Sequence, residues 1–298
     1  MSCLRITPTH NCDGFIPSHF HCGVSHALFS GLPAPYLVSA SECVLTAPPD
    51  SSTTEVQLSN PCNFRDLGGL GTAHGTVRSG QIFRSDDVAT VTSTFAAAMV
   101  DEHDIGHIID LRSANEVGFT GRGPLAELPV AYHHLPLIDR RTPSLDRRPE
   151  TPQELGHGYV HMLEHAAPRL AIGLQLVAAA EQAVVFHCAA GKDRTGLLAA
   201  LLLTAFDVDH ASIVADYART DEVMAEVNER LVPLIAATNP NAATKPITAH
   251  HPILRAPAVT MTEFLTVSTE RHGSPLAPLR KAGLSPETEQ RLRQRYVE

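Results

Sequence analysis

The chain has 298 residues, 43% of them hydrophobic, enough to pack one large domain or two modest ones. A formal net charge of −9 argues against a nucleic-acid partner. No apolar run approaches the roughly 18 residues needed to cross a bilayer, and Met1-Ser2-Cys3-Leu4-Arg5 shows no charged n-region leading into an apolar core, so neither integral membrane association nor a secretory signal is expected.

Residues 1–55 show little periodicity and scatter Pro, Ser, Thr and His, with Pro48-Pro49-Asp50-Ser51-Ser52-Thr53-Thr54 as a linker. They read as a poorly structured extension ahead of a domain over 56–298. Asn63-Phe64-Arg65-Asp66-Leu67-Gly68-Gly69 supplies a strand or turn closed by paired glycines, and 76–85 looks like a hairpin segment ending in an exposed polar patch. Thr90 or Thr92 can cap a helix running to about Glu102. One β-rich run over 105–111 ends in Asp110-Leu111-Arg112; a second over 130–137 leads into Ile138-Asp139. The polar stretch 140–152 is a loop carrying Arg140, Arg141, Arg147 and Arg148.

Helical periodicity returns over 152–180. A short β-branched and aromatic run at 183–186 reads as a buried strand, and 197–206 as a buried helix. Asp209 caps a helix to Arg219, 221–237 continues as an amphipathic helix, and 238–257 reads as a loop. Three helices follow, near 259–271, 275–282 and 286–297. Strands alternating with helices indicate an α/β fold, a mainly parallel central sheet flanked by helices, with a helical C-terminal part. Ligands in such sheets sit beyond the carboxyl ends of the strands. Asp110, Asp139 and Cys188 all fall at or just past such an end, so one rim would gather all three.

The densest chemistry lies in His187-Cys188-Ala189-Ala190-Gly191-Lys192-Asp193-Arg194-Thr195-Gly196. A strand enters a tight loop and the loop opens a helix. The first helical amides lack intrahelical partners, and the positive end of the helix dipole points at the loop, which makes an anion-binding concavity. The backbone of Ala189, Ala190, Gly191, Lys192, Asp193 and Arg194 is the expected phosphate cradle. Helix N-termini and neighbouring cations stabilise a thiolate, which suits Cys188 as nucleophile. Arg194 offers a planar fork for two phosphate oxygens. Attack of the thiolate on phosphorus would give a phosphocysteine, dividing one difficult hydrolysis into two easier steps. His187 can orient the loop, and Thr195 can donate to the sulfur and help its departure. A nucleotide-binding loop would need Gly five residues ahead of the Gly-Lys pair and Ser or Thr after it; Phe186 and Asp193 stand there instead. A plain core thiol would need none of this string.

Cys3, Cys12, Cys22, Cys43 and Cys62 lie early, and Cys188 stands alone. With Cys188 free, the other five cannot all pair within one chain, and a reducing cytoplasm is the simpler setting. Cys12, His19, His21, Cys22 and His26 match no standard zinc spacing, so neither metal nor cofactor is expected.

His-Cys-x5-Arg-Thr-Gly resembles the signature of the cysteine-dependent protein tyrosine phosphatase superfamily. The fuller string, with Lys-Asp before the Arg, resembles its bacterial branch, which includes a secreted mycobacterial tyrosine and lipid phosphatase. Asn63-Phe64-Arg65-Asp66-Leu67-Gly68-Gly69, Phe83-Arg84-Ser85 and Ile109-Asp110-Leu111-Arg112-Ser113-Ala114-Asn115-Glu116 match that branch in order. The likeness runs from about residue 58 to the C-terminus and leaves out the first fifty or so residues. It implies a tyrosine-phosphatase-like fold and metal-free hydrolysis of phosphomonoesters. It also implies that Asp193 does the acid–base work that phosphate-ester cleavage needs. Asp139 is the rival, because related dual-specificity enzymes carry their acid in the loop after that strand. Asp110 is third, with a structural role beside Arg112 or a backbone amide as its alternative.

Only Lys192, Lys245 and Lys281 are lysines, against twenty arginines, so a compact ammonium beside the anion site is informative. Lysine there also resembles phosphatases of phosphoinositides; a solvent-facing loop charge is the alternative. Arg140, Arg141, Arg147 and Arg148 either line the mouth or are a solvated loop. Asn63, Arg65 and Asp66 are expected to brace the site, and Glu116 to pair with a rim arginine. Phosphotyrosyl protein is the leading substrate, with phosphoinositides or phosphoserine and phosphothreonine proteins as alternatives. A binding-only pseudophosphatase lacks support because the nucleophile and clamp are both present. Sulfur transfer by a rhodanese-like loop is argued against by the run from Lys192 to Gly196.

Overall fold

Strand β1 (Arg65–Asp66) is followed by a hairpin of β2 (Gly71–Thr72) and β3 (Gly75–Thr76), then by β4 (Ile82–Ser85), β5 (Ile105–Asp110), β6 (Ala131–His134) and β7 (Ala183–His187). The computed structural model describes residues 58–138, 149–238 and 251–298, all of them within one compact unit spanning 52–298. The extension over 1–55, the loop from Asp139 to Arg148 and Lys245 lie outside the described residues. So do the cysteines and histidines weighed for zinc.

The main sheet has the order β1–β4–β7–β5–β6. β4, β7, β5 and β6 run parallel, and β1 joins β4 antiparallel. β7 is central and buried along its whole length, as expected for a strand covered on both faces. Its alternation sends Val184 and Phe186 into one core and Ala183 and Val185 into the other. Ser85 and Asp110 both lie opposite His187. Three parallel strands therefore end level, and their carboxyl ends form one rim.

The smaller core packs α1 (Ser93–Asp101) against the sheet through Ala96 and Met99. The larger holds α3 (Pro152–Ala179), α4 (Asp193–Ala205), α5 (His210–Arg219), α7 (Ala258–His272), α8 (Ala277–Lys281) and α9 (Pro286–Tyr296). A short α2 (Ala114–Thr120) follows β5, and α6 (Met224–Thr238) follows α5. Local chemistry explains several boundaries. Thr151 and Glu154 close a capping box with Pro152 in the first turn, which starts α3 where the sequence expects it. Thr92, not Thr90, caps α1. Asp209 caps α5. No described helix is long and apolar enough to cross a membrane.

The structure differs from the sequence reading in five places. The hairpin is Gly71–Thr76, and Ile82–Ser85 is a buried strand in the sheet. Arg84 and Ser85, expected to end the hairpin segment as an exposed polar patch, are buried, each at 0% exposure. The strand expected over 130–137 stops at His134, short of Pro136, which has no N–H for the ladder. Helix α2 was not anticipated, because seven residues are too few to show a 3.6-residue period; a Ser113–Glu116 capping box starts it. Helix α4 begins at Asp193, inside the signature, rather than at 197.

Candidate active site

The loop from His187 to Asp193 is held by its carbonyls. The Ala189 carbonyl accepts from the Asp87 amide at 3.1 Å. Asn63 Nδ2 donates to the carbonyls of Ala190 and Gly191, each at 3.2 Å, and Arg84 Nη2 donates to Gly191 at 2.8 Å. Among the described residues none accepts a hydrogen bond from the backbone amides of Ala189 through Arg194. Carbonyls tied off on one side and amides left open on the other make an anion cradle at the helix N-terminus. Gly191 is required here: its φ is +67°, and a Cβ would lie 2.6 Å from the Asp86 amide nitrogen and the Ser85 carbonyl oxygen. Cys188, 1% exposed, forms the floor of the loop.

Arg194, the second residue of α4, meets Glu116 of α2 end-on. Nη1 lies 2.6 Å from Oε2 and Nη2 2.8 Å from Oε1. Glu116 Oε2 also accepts from the Ser113 amide at 2.7 Å, so one carboxylate both caps α2 and aims the guanidinium. Burial would raise the Glu116 pKa, but Arg194 and Ser113 outweigh it and hold it at about 2. Burial likewise opposes the Arg194 charge, and the nearby Cys188 and Glu116 more than offset it, raising Arg194 above its ordinary value. The expected pairing of Glu116 with a rim arginine is this contact.

Asp193 Oδ1 accepts from the Tyr159 hydroxyl at 2.7 Å, and Tyr159 is itself 2.8 Å from the Tyr217 hydroxyl. Lys192 Nζ sits 3.3 Å from the same Oδ1. The rest of the Lys192 ammonium is used on backbone: it donates to Ile253 O at 2.7 Å, Arg255 O at 3.1 Å and Pro252 O at 3.4 Å. At 1% exposure it is neither a solvent-facing loop charge nor a free cation beside the cradle. It fastens the signature loop to residues 252–255.

Behind the loop lies a buried ionic cluster. Both Asp110 oxygens accept from Arg112, at 2.6–3.0 Å, and Oδ2 also accepts from Tyr132 at 2.6 Å. Burial would favour neutral Asp110; His187, Arg112 and Tyr132 outweigh it and keep its pKa well below the usual carboxylate range. Arg112 Nη1 reaches Asp87 at 2.9 Å. His187 lies between the two acids, 3.8 Å from Asp87 and 3.7 Å from Asp110, and burial holds its pKa below the ordinary value. Both His187 ring nitrogens and the Thr195 hydroxyl are buried without a hydrogen-bond partner. Asp110 is thus tied to Arg112, the contact its structural alternative calls for, while Asp139 lies outside the described residues.

Asn63 and Arg65 brace the loop as expected. Arg65 Nη1 donates to Asn63 Oδ1, and Arg65 Nε holds Asp216 at 2.9 Å, the same acid that takes Arg84 at 2.5 Å. Asp66 does not share that work: it binds the amides of Gly68 and Gly80 and shapes the adjoining turn. Tyr159, Tyr217, Asp216 and Asp87 escaped the sequence reading. The first three stand on helices distant in sequence and look like ordinary core or helix-surface positions. Arg230 of α6, bonded to Asp86 and to Thr90 Oγ1, was equally silent. Among the described residues no three His, Cys, Asp or Glu side chains converge as metal ligands.

A strand-end thiol under a cradle of open amides, with a clamped guanidinium six residues on, defines the Cys-x5-Arg class of phosphate-handling loops. The chain belongs to the tyrosine phosphatase family, whose model matches residues 56–298. It is 26% identical over 272 residues to the triple specificity protein phosphatase PtpB of Mycobacterium tuberculosis, covering 80% of this chain and 97% of that one. It is 38% identical over 112 residues to a tyrosine-protein phosphatase of Nostoc commune, covering 37% of this chain and 38% of the other. A putative tyrosine-protein phosphatase of Cupriavidus necator is 31% identical over 176 residues, covering 56% and 63%. The chain is accordingly a phosphoric monoester hydrolase of the tyrosine phosphatase type.

Proposed function

We infer that residues 56–298 form a catalytic domain that hydrolyses phosphomonoesters through a phosphocysteine on Cys188. The observation that carries this reading is the loop itself, with its carbonyls bound outward and its amides from Ala189 to Arg194 open above the Cys188 floor. The Cys188 thiolate attacks phosphorus, an S–P bond forms, and the ester P–O bond breaks. Asp193 gives its proton to the leaving oxygen. The Asp193 carboxylate then takes a proton from water, whose oxygen attacks phosphorus and breaks the S–P bond. Inorganic phosphate leaves, and the buried Thr195 hydroxyl donates to the departing sulfur. The Glu116 grip occupies both Nη atoms of Arg194 and leaves its Nε–H edge to the phosphate.

Phosphotyrosyl proteins are the leading substrate, on the strength of the family. Dual-specificity or phosphoinositide hydrolysis is the second reading, favoured by a relative named for triple specificity. Lys192 no longer supports the lipid reading, because its ammonium is bound to backbone carbonyls and Asp193.

The purified protein should release phosphate from 4-nitrophenyl phosphate in EDTA, and Cys188→Ser should abolish turnover. Full activity in that variant, or a strict metal requirement, would sink the reading. A phosphate-release panel of phosphotyrosyl, phosphoseryl and phosphothreonyl peptides and phosphoinositides would then rank the substrates.

A further inference from the structure

The contacts of Asp193 are one-sided. Tyr159 Oη and Lys192 Nζ both act on Oδ1, at 2.7 and 3.3 Å, while Oδ2 carries no hydrogen bond among the described residues. The Asp193 side chain keeps 32% exposure, whereas Tyr159 and Tyr217 are each 1% exposed. An ionised carboxylate only accepts, so Tyr159 must donate its single proton to Asp193. Its oxygen is then the acceptor for Tyr217, 2.8 Å away. The two phenols form a directed chain from Tyr217 through Tyr159 to Asp193. Burial and the Asp193 charge raise both phenol pKa values, so both stay protonated as donors.

Packing locks this chain in place. Tyr159 comes from α3 and meets the rings of Tyr217 and Phe264 edge-on. Tyr217 comes from α5 and presses on Gly196, where a Cβ would stand 3.0 Å from the ring. The last glycine of the signature therefore makes room for the second phenol.

We propose that Tyr159, backed by Tyr217, is a positioning residue that pins Oδ1 of Asp193 and dedicates Oδ2 to the leaving group. The proposal rests on the reading of Asp193 as the acid. Without the pin, the carboxylate rotates between its oxygens and the proton is delivered from a broader set of positions. A misplacement on the order of 1 Å costs about 10²-fold in such a step.

The groups facing Asp193 are Tyr159 from α3, Tyr217 from α5, and Lys192 and Arg194 on its own segment. Tyr159→Phe removes one hydroxyl and keeps the ring and both cations.

The test compares Tyr159→Phe, Tyr217→Phe, Asp193→Asn and the Tyr159→Phe/Asp193→Asn double variant on a phosphotyrosyl peptide and on 4-nitrophenyl phosphate. Tyr159→Phe should lower kcat on the peptide about 10- to 100-fold, with KM nearly unchanged and a smaller loss on the activated ester. Tyr217→Phe should show the same pattern more weakly. In the Asp193→Asn background, Tyr159→Phe should add no further leaving-group-dependent loss. Equal losses on both substrates, or the full Tyr159→Phe loss repeated in that background, would overturn the positioning role alone. If Asp193→Asn itself costs both substrates equally, the acid assignment fails and takes the proposal with it.

Discussion

Glu116 holds Arg194 by both oxygens, at 2.6 and 2.8 Å, while its Oε2 closes the N-terminal capping box of its own helix. Helix α2 and the phosphate clamp therefore share one carboxylate, and loosening either loosens both. Glu116→Gln should lower kcat/KM about 10- to 100-fold through misaim of the guanidinium, measured on 4-nitrophenyl phosphate.

The same pair predicts a pH dependence of stability. The folded pKa of Glu116, about 2, lies below its ordinary 4.5. Its contribution is therefore present above pH 4.5 and lost as pH falls from there toward 2. Thermal midpoints measured across that window should fall less steeply in Glu116→Gln than in the parent. Parallel slopes would show that the ion pair adds nothing to stability.

Asp110→Asn separates structure from acid catalysis. It removes the bidentate partner of Arg112, a side chain 1% exposed that, among the described residues, keeps only Asp87 as a counter-charge. Breaking a buried pair from one side costs about 3–5 kcal/mol, which the urea midpoint should report. Whatever activity remains should keep the parent's ratio of rates on strong and weak leaving groups. A selective loss on the weak leaving group would return Asp110 to the list of acids.

Asp193→Asn and Asp139→Asn can be compared in the same assay. Loss of the true acid cuts the rate on a poor leaving group by about 10²–10⁴ and spares an activated aryl ester. That selective loss is expected at Asp193.

Lys192→Ala should reduce phosphotyrosine and phosphoinositide hydrolysis by one common factor, because Nζ is engaged with residues 252–255 and Asp193. A loss confined to lipid substrates would place the ammonium on the headgroup instead.

Gly191→Ala tests the cradle. The left-handed φ costs a Cβ-bearing residue about 1–2 kcal/mol, and the added methyl would also meet two backbone atoms at 2.6 Å. Phosphate-analogue affinity and kcat/KM should both collapse, by about 10² or more, while far-UV circular dichroism stays that of the parent.

Local chemistry made much of this protein legible in its sequence. The β-branched run 183–186, the signature and the apolar stretch behind it specify strand, loop and helix, because each follows from side-chain period and backbone permissiveness over a few residues. The capped start at Asp209 was readable for the same reason, and the start of α1 was narrowed to Thr90 or Thr92. Even the clamp partner Glu116 could be anticipated, since it sits within a recognisable motif. Tertiary structure alone decided what long-range pairing controls. The end of the segment at Arg84 and Ser85 reads as an exposed polar patch, yet both are buried: the strand joins the sheet and Asp216 arrives from elsewhere in the chain to pair with Arg84, as Arg230 and Arg112 do for the neighbouring Asp86 and Asp87. Lys192 looked like a ligand-facing cation until residues 252–255 brought carbonyls to it. Tyr159 and Tyr217 carried no signal at all. A buried tyrosine on an amphipathic helix looks the same in sequence whether its hydroxyl meets water, backbone or a catalytic carboxylate, and only the packing of α3 and α5 against the signature loop selects the last.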